Sequence, residues 1–202
     1  MSNETKNKIV PKLRFPDFKN AAGWNEKLLG KISEIVRGGS PRPIEEFFTT
    51  DPNGLNWLKI ADVSSEAKYI TKTKERVIHS ALKSTREVFP GDLILSNSMS
   101  FGRPYISKIK SCIHDGWIAI RNINDEVDTD YLYYVISAEG SQNYFLINAA
   151  GAAVKNLNAE IIKLLPVAIP SPKEQQKIAD CLSSLDDLIT AENQKLEALK
   201  VH

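Results

Sequence analysis

Cysteine is scarce here. Cys112 and Cys181 are the two in 202 residues, and they form no C-x-x-C pair. A disulfide framework and a thiolate zinc site therefore have little to build on. Histidine is almost as sparse: His79, His114 and His202 are scattered, with no H-x-x-x-H spacing. No apolar run approaches the roughly 20 residues needed to span a bilayer. The opening MSNETKNKIVPKLRF also lacks the apolar core of a secretory signal, so the expected location is cytoplasmic, with no membrane partner. There is no G-x-S-x-G elbow, no phosphate-binding G-x-x-x-x-G-K-[ST] loop and no dinucleotide glycine fingerprint. The Asn-Pro-Pro-aromatic signature of amino-methyltransferases is missing as well. No catalytic residue and no metal ligand is assigned.

One enzyme-like set survives this sieve. Asp17 with Glu66-x-Lys68 matches the acid-plus-E-x-K arrangement of metal-dependent nucleases, although such triplets recur by chance in any charged chain. His114-Asp115 resembles a dyad, but neighbours in a strand or turn rarely address one site, so it reads as a surface pair.

The net charge of +1 hides an uneven distribution. Residues 55–115 hold 10 Lys or Arg against 6 Asp or Glu, whereas residues 173–202 hold 4 against 6. A basic lobe suits a polyanion and an acidic tail does not.

Residues 1–23 are polar and broken by Pro11 and Pro16, as an extended lead-in would be. WNEKLLGKISEIVRGG reads as a short helix turning into a strand that ends at Gly38-Gly39. NWLKIADV, ERVIHS, GDLILS, PYISKI and WIAIRNI are short β-branched runs separated by turn residues, hence strands. TDYLYYVISAEGSQNYFLINAA predicts two short helices, capped by Asp128 or Thr129 and broken at Gly140. NLNAEIIKLL predicts a further helix capped by Asn158, and LPVAIP a last strand.

The tail is the most strongly specified element. Ser171, Pro172 and Glu174 make a capping box with proline at the first helical position. Ile178, Leu182, Leu185, Ile189, Leu196 and Leu199 then follow at alternating steps of four and three, with Glu192 on the stripe between Ile189 and Leu196, a heptad seam for helix pairing. The chain supplies no later helix to cover that seam. The fold class is accordingly α+β (mixed α/β): a head of short strands and small helices over residues 1–170, then a long coiled-coil-type helix over 171–202.

Two loops, RGGSPRP and SNSMSFGRP, each set an arginine beside hydroxyls on a glycine- and proline-shaped backbone. Such loops can approach a phosphate backbone and offer Arg or Asn to base edges. The candidate DNA-binding residues are Ser40, Arg42, Lys59, Ser96, Asn97, Ser98, Ser100, Arg103 and Lys155.

LGKISEIVRGGSPRP, WLKIADV, GDLILSNSMSFGRP and NLNAEIIKLLPVAIPSPKEQQKIADCLSSLDDLI together resemble the specificity subunit of bacterial type I restriction-modification systems. The lead-in PKLRFPDF fits that resemblance. It implies one target recognition domain and the first of two antiparallel spacer helices, about half of a typical member. It further implies a non-catalytic subunit that reads one half of a bipartite double-stranded DNA target. Separate modification subunits would methylate adenine with S-adenosylmethionine, and a restriction subunit would cleave; no cofactor is expected in this chain. A half-subunit could restore the two-headed form by pairing its helix with a second copy, as a homodimer. On the residues alone, an assembly protein acting through its helix remains the alternative, with the nuclease behind it.

Overall fold

A computed structural model describes residues 8–97, 101–149 and 157–200. In chain order, β1 (Lys8–Ile9) and β2 (Trp24–Leu28) lead into the single turn α1 (Leu29–Ile32) and β3 (Glu34–Arg37). Then come β4 (Phe48–Thr49), β5 (Leu55–Leu58), β6 (Tyr69–Ile70), β7 (Glu75–Val77), β8 (Arg86–Val88), β9 (Leu93–Ser96), β10 (Pro104–Ser107), β11 (Ser111–Ile113) and β12 (Trp117–Arg121). The helices α2 (Thr129–Ser137), α3 (Glu139–Ala149) and α4 (Ala159–Lys163) follow, then β13 (Pro166–Ile169) and α5 (Pro172–Lys200).

The strands form three sheets, ordered β1-β2-β13, β3-β12-β9-β10-β6 and β4-β7-β5-β11-β8. Pairing is antiparallel except for β6 with β10 and β5 with β11, which run parallel. The β3–β12 sheet is the middle layer, and the two-residue period of β12 shows why. Ile118 and Ile120 join Leu93, Leu95, Leu132, Phe145 and Ile162 on the helical side. Trp117 and Ala119 join Leu58, Ile94, Tyr105 and Ile113 toward the outer sheet. Both faces of the strand are buried, at about 1.5–3 kcal/mol for each large side chain. A third, smaller cluster of Trp57, Val77, Ala81 and Cys112 lies on the far side of the outer sheet.

Several local expectations change. The strand read over NWLKIADV stops at Leu58, because the Asp62 carboxylate accepts from the Lys59 backbone N–H at 3.0 Å and winds Ile60–Asp62 into a 3-10 turn. Trp24–Leu28, read as helical, is a strand, because it is recruited between β1 and β13. The helix break falls at Ala138, not Gly140: Ala138 turns extended (ψ 146°) and Gly140 sits inside α3. Asp128 caps α2 and Asn158 caps α4 through their side chains.

The capping box of α5 is also redirected. Glu174 does not return to Ser171; its carboxylate takes a two-pronged bond from Arg14, Nε and Nη2 each at 2.7 Å. The lead-in is thereby tied to the helix, and Arg14 also donates to the Ala21 and Ala22 carbonyls. Gln175, fully buried, accepts from the Asp128 N–H at 2.8 Å and donates to the carbonyls of Glu126 and Pro170. Ala179 is the third buried residue of the helix. The motif SPKEQQKIA thus holds the first two turns of α5 inside the head.

Candidate nucleic-acid interface

The RGGSPRP loop folds against the β11–β12 turn because its two glycines permit backbone-to-backbone approach. A Cβ on Gly38 would lie 2.1 Å from the His114 carbonyl oxygen, and one on Gly39 2.2 Å from that of Ser84. Gly38 N–H donates to the Trp117 carbonyl (2.9 Å) and Gly39 N–H to that of Ile113 (3.1 Å). This clamp sets Ser40 and Arg42 beside Asp115. Ser40 Oγ donates to its carboxylate at 2.8 Å, and Arg42 Nη2 approaches at 3.5 Å. The Asp115 carbonyl in turn accepts from Arg37 Nε (3.0 Å) and Asn97 Nδ2 (2.9 Å). The Ser40 hydrogen bond, more than any other effect, holds the Asp115 carboxyl below its ordinary pKa.

Beside this knot opens a cleft of about 360 Å³ lined by Ser40, Arg42, Phe48, Trp57, Lys59 and His114 among others. Lys59 lies over the Phe48 ring, 5.2 Å from its centroid, and pairs with Glu75 at 2.6 Å. Arg42 is the more open of the two cations in the cleft, its side chain 81% exposed against 41% for Lys59. The cleft thus offers an exposed guanidinium loosely held by Asp115, one ammonium on an aromatic face, the Ser40 hydroxyl and the ring edges of Phe48, Trp57 and His114. Its two cations stand beside two carboxylates, those of Glu45 and Asp115.

His114 packs between Trp57 and Trp117, with ring centroids 6.1 and 6.2 Å away. Its Nδ1 accepts the Gly116 N–H at 2.9 Å, so that nitrogen carries no proton. Burial pushes the His114 pKa below 6.5, while nearby Asp115 pulls the other way. The unfolded chain therefore takes up this proton more readily than the folded one. Stability held above the ordinary histidine pKa is lost as pH falls below it. Melting temperature should drop between about pH 7.5 and pH 5.5, and His114→Gln should remove part of that slope; parallel wild-type and variant profiles would contradict the assignment.

Not all the sequence-assigned residues meet here. Ser40, Arg42 and Lys59 share the cleft. Ser96 and Asn97 lie inside the head, 0% and 4% exposed, because β9 is buried on both faces and Asn97 bonds to the β11–β12 turn. Arg103 lines a separate surface with Lys68, Tyr133, Tyr134 and α5, its guanidinium 5.9 Å from the Tyr105 ring. Ser98, Ser100 and Lys155 lie outside the described residues. Sequence reasoning passed over Asp115 as a surface neighbour of His114. The available signal was the glycine after it, which marks the turn that the RGG loop meets.

Lys68, half of the nuclease-like pattern, is committed elsewhere. Its ammonium pairs with Asp130 at 2.7 Å and donates to Tyr134 Oη (3.2 Å) and to Ser183 Oγ on α5 (2.9 Å). Three tyrosine rings, Tyr69, Tyr133 and Tyr134, surround it. Burial opposes its charge, but the bonds to Asp130 and Tyr134 outweigh burial and raise its pKa. Tyr134 Oη also donates to Asp186 at 2.7 Å. Lys68 thus joins head to helix. Among the described residues no three His, Cys, Asp or Glu side chains are grouped to hold a metal, and no helix is long and apolar enough to cross a membrane.

The family description "Type I restriction modification DNA specificity domain" matches residues 22–201. The chain belongs to this family. Among specificity subunits it is 30% identical over 183 residues to that of MjaIX from Methanocaldococcus jannaschii, covering 88% of this chain and 41% of that one. It is 24% identical over 169 residues to the EcoR124I/EcoR124II specificity subunit of Escherichia coli, covering 80% and 41%. Solved structures share the fold. The HsdS subunit of Thermoanaerobacter tengcongensis matches with a TM-score of 0.65 at 21% identity, covering 92% of this chain and 41% of that one. A chain from a type I R-M system, solved in a study of complex assembly and conformational transition, matches at 0.68 and 21%, covering 93% and 43%. This specificity domain therefore spans about two fifths of the length of the relatives it matches.

The helix seam of this specificity domain divides in two. Ile178 and Leu182 are half-buried and line an apolar groove of about 500 Å³ with Leu13, Phe15 and Trp24. Leu185, Ile189, Leu196 and Leu199 stand in the open at 49%, 59%, 51% and 66% exposure, and Leu188 widens the strip.

Proposed function

We propose that this chain is a non-catalytic DNA-recognition module that reads one half of a bipartite target. It would direct adenine-modification and restriction subunits there, with S-adenosylmethionine held by the modification subunit. Family membership supports the reading. The observation that carries it is the Gly38–Asp115 knot, which presents Arg42 and Lys59 on an open polar cleft of a head tied firmly to a long helix. The decisive experiment is methylome sequencing of cells expressing this chain with its modification subunit. A discrete methylated motif is expected; methylation without a motif would refute the reading.

The bare strip from Leu185 to Leu199 favours a second helix as its cover. Two copies pairing antiparallel would place the heads about a two-fold axis, and the motif would then be palindromic. Sedimentation should show a dimer that Leu185→Lys with Ile189→Lys converts to monomer. A wild-type monomer at tens of micromolar, a concentration of the order at which weak coiled coils assemble, would exclude the homodimer. Pairing without any sequence-selective binding would favour the assembly protein instead.

A further inference from the structure

Asp115 draws together donors from two separate parts of the chain. Its carbonyl takes Arg37 and Asn97, and its carboxylate takes Ser40 and, more loosely, Arg42. A carboxylate is a poor neighbour for a phosphate, and this one stands partly open in the cleft, its side chain 42% exposed. It weakens the pull of the cleft on a polyanion while restraining the most exposed cation there. An unrestrained arginine settles on the nearest phosphate whatever the sequence; one held by a carboxylate keeps its planar fork aimed and can be presented to a base edge.

We propose that Asp115 is a positioning residue for sequence readout: it tethers Arg42 and Ser40 so that Arg42 addresses a base edge in preference to the backbone. The role rests on the DNA-reading assignment above. It differs from simple support of the fold in the sign of one effect. A supporting residue, once removed, weakens binding to every duplex. A tether, once removed, weakens the cognate duplex and strengthens the rest, because the freed guanidinium gains a phosphate and one negative charge leaves the surface.

The test uses the chain assembled with its modification subunits, and two duplexes: one bearing the motif found by methylome sequencing, one with that motif scrambled. Asp115→Asn keeps the side-chain shape and an acceptor for Ser40. It should lower cognate-to-scrambled discrimination about tenfold, the order of one base contact, while scrambled-duplex affinity rises. In an Arg42→Ala background, a change on the exposed surface, Asp115→Asn should alter discrimination by less than about twofold, because the residue it acts through is gone. Equal weakening on both duplexes, unchanged discrimination, or an undiminished effect in the Arg42→Ala background would each overturn the role. A wild-type complex that fails to discriminate would overturn the DNA-reading assignment and this role together, whereas a discriminating wild type with an indifferent Asp115→Asn overturns this role alone.

Discussion

Gly38→Ala is expected to destabilise the head by about 3 kcal/mol, the upper part of the range for overpacked sites, and to abolish sequence discrimination. The new methyl would sit 2.1 Å from the His114 carbonyl oxygen and 2.7 Å from that of Ile113. Both obstacles are backbone, held by the β11–β12 turn, so no side chain can swing aside to relieve the contact. The loop must lift, and its lifting breaks the Gly38 bond to Trp117 and pulls Ser40 away from Asp115. Gly140→Ala supplies the control. It lies within α3 with nothing near its virtual Cβ, so alanine should be neutral or stabilising by up to about 1 kcal/mol. Urea midpoints for the two variants give the comparison, and equal midpoints would contradict the close-approach account.

Trp117→Ala should cost about 3–5 kcal/mol, the usual range for deleting a buried aromatic. Trp117 is fully buried between the middle and outer sheets and meets Tyr105 edge-on at 5.9 Å. Its Nε1 donates to the Leu58 carbonyl at 3.2 Å, so truncation also strands a buried acceptor. Leu199→Ala, on the open end of α5, should change the stability of the unpaired chain by less than about 0.5 kcal/mol. A mild Trp117→Ala would mean that the two sheets do not share one cooperative core.

The head was legible wherever periodicity or capping chemistry was local. The strands at ERVIHS, GDLILS, PYISKI and WIAIRNI, and the caps at Asp128 and Asn158, follow from residues within a few positions of one another. Expectations slipped where a distant partner decided the matter. Trp24–Leu28 became a strand because β13, some 140 residues later, pairs with it. Glu174 left its capping box for Arg14, 160 residues upstream. The candidate site divided for the same reason. Ser40, Arg42 and Lys59 converge through a fold that brings residues 38–59 to residues 114–117, and no spacing within the chain announces that meeting. Ser96 and Asn97 looked exposed because serine and asparagine mark loops, yet β9 lies between two layers and draws Ser96 inward, and the β11–β12 turn holds Asn97.

The Lys68 contacts have a mechanical consequence. About 25 Å of helix extends past Ser183, at 1.5 Å per residue, and every described residue from Ser184 to Lys200 is exposed. A tilt of about 10° there would swing the tip by about 4 Å, close to the 3.4 Å rise of one base step. Lys68, Tyr134, Ser183 and Asp186 therefore act as the bearing of a lever. If two such heads grip one duplex, the stiffness of that bearing decides whether they can measure the gap between half-sites to a single base pair.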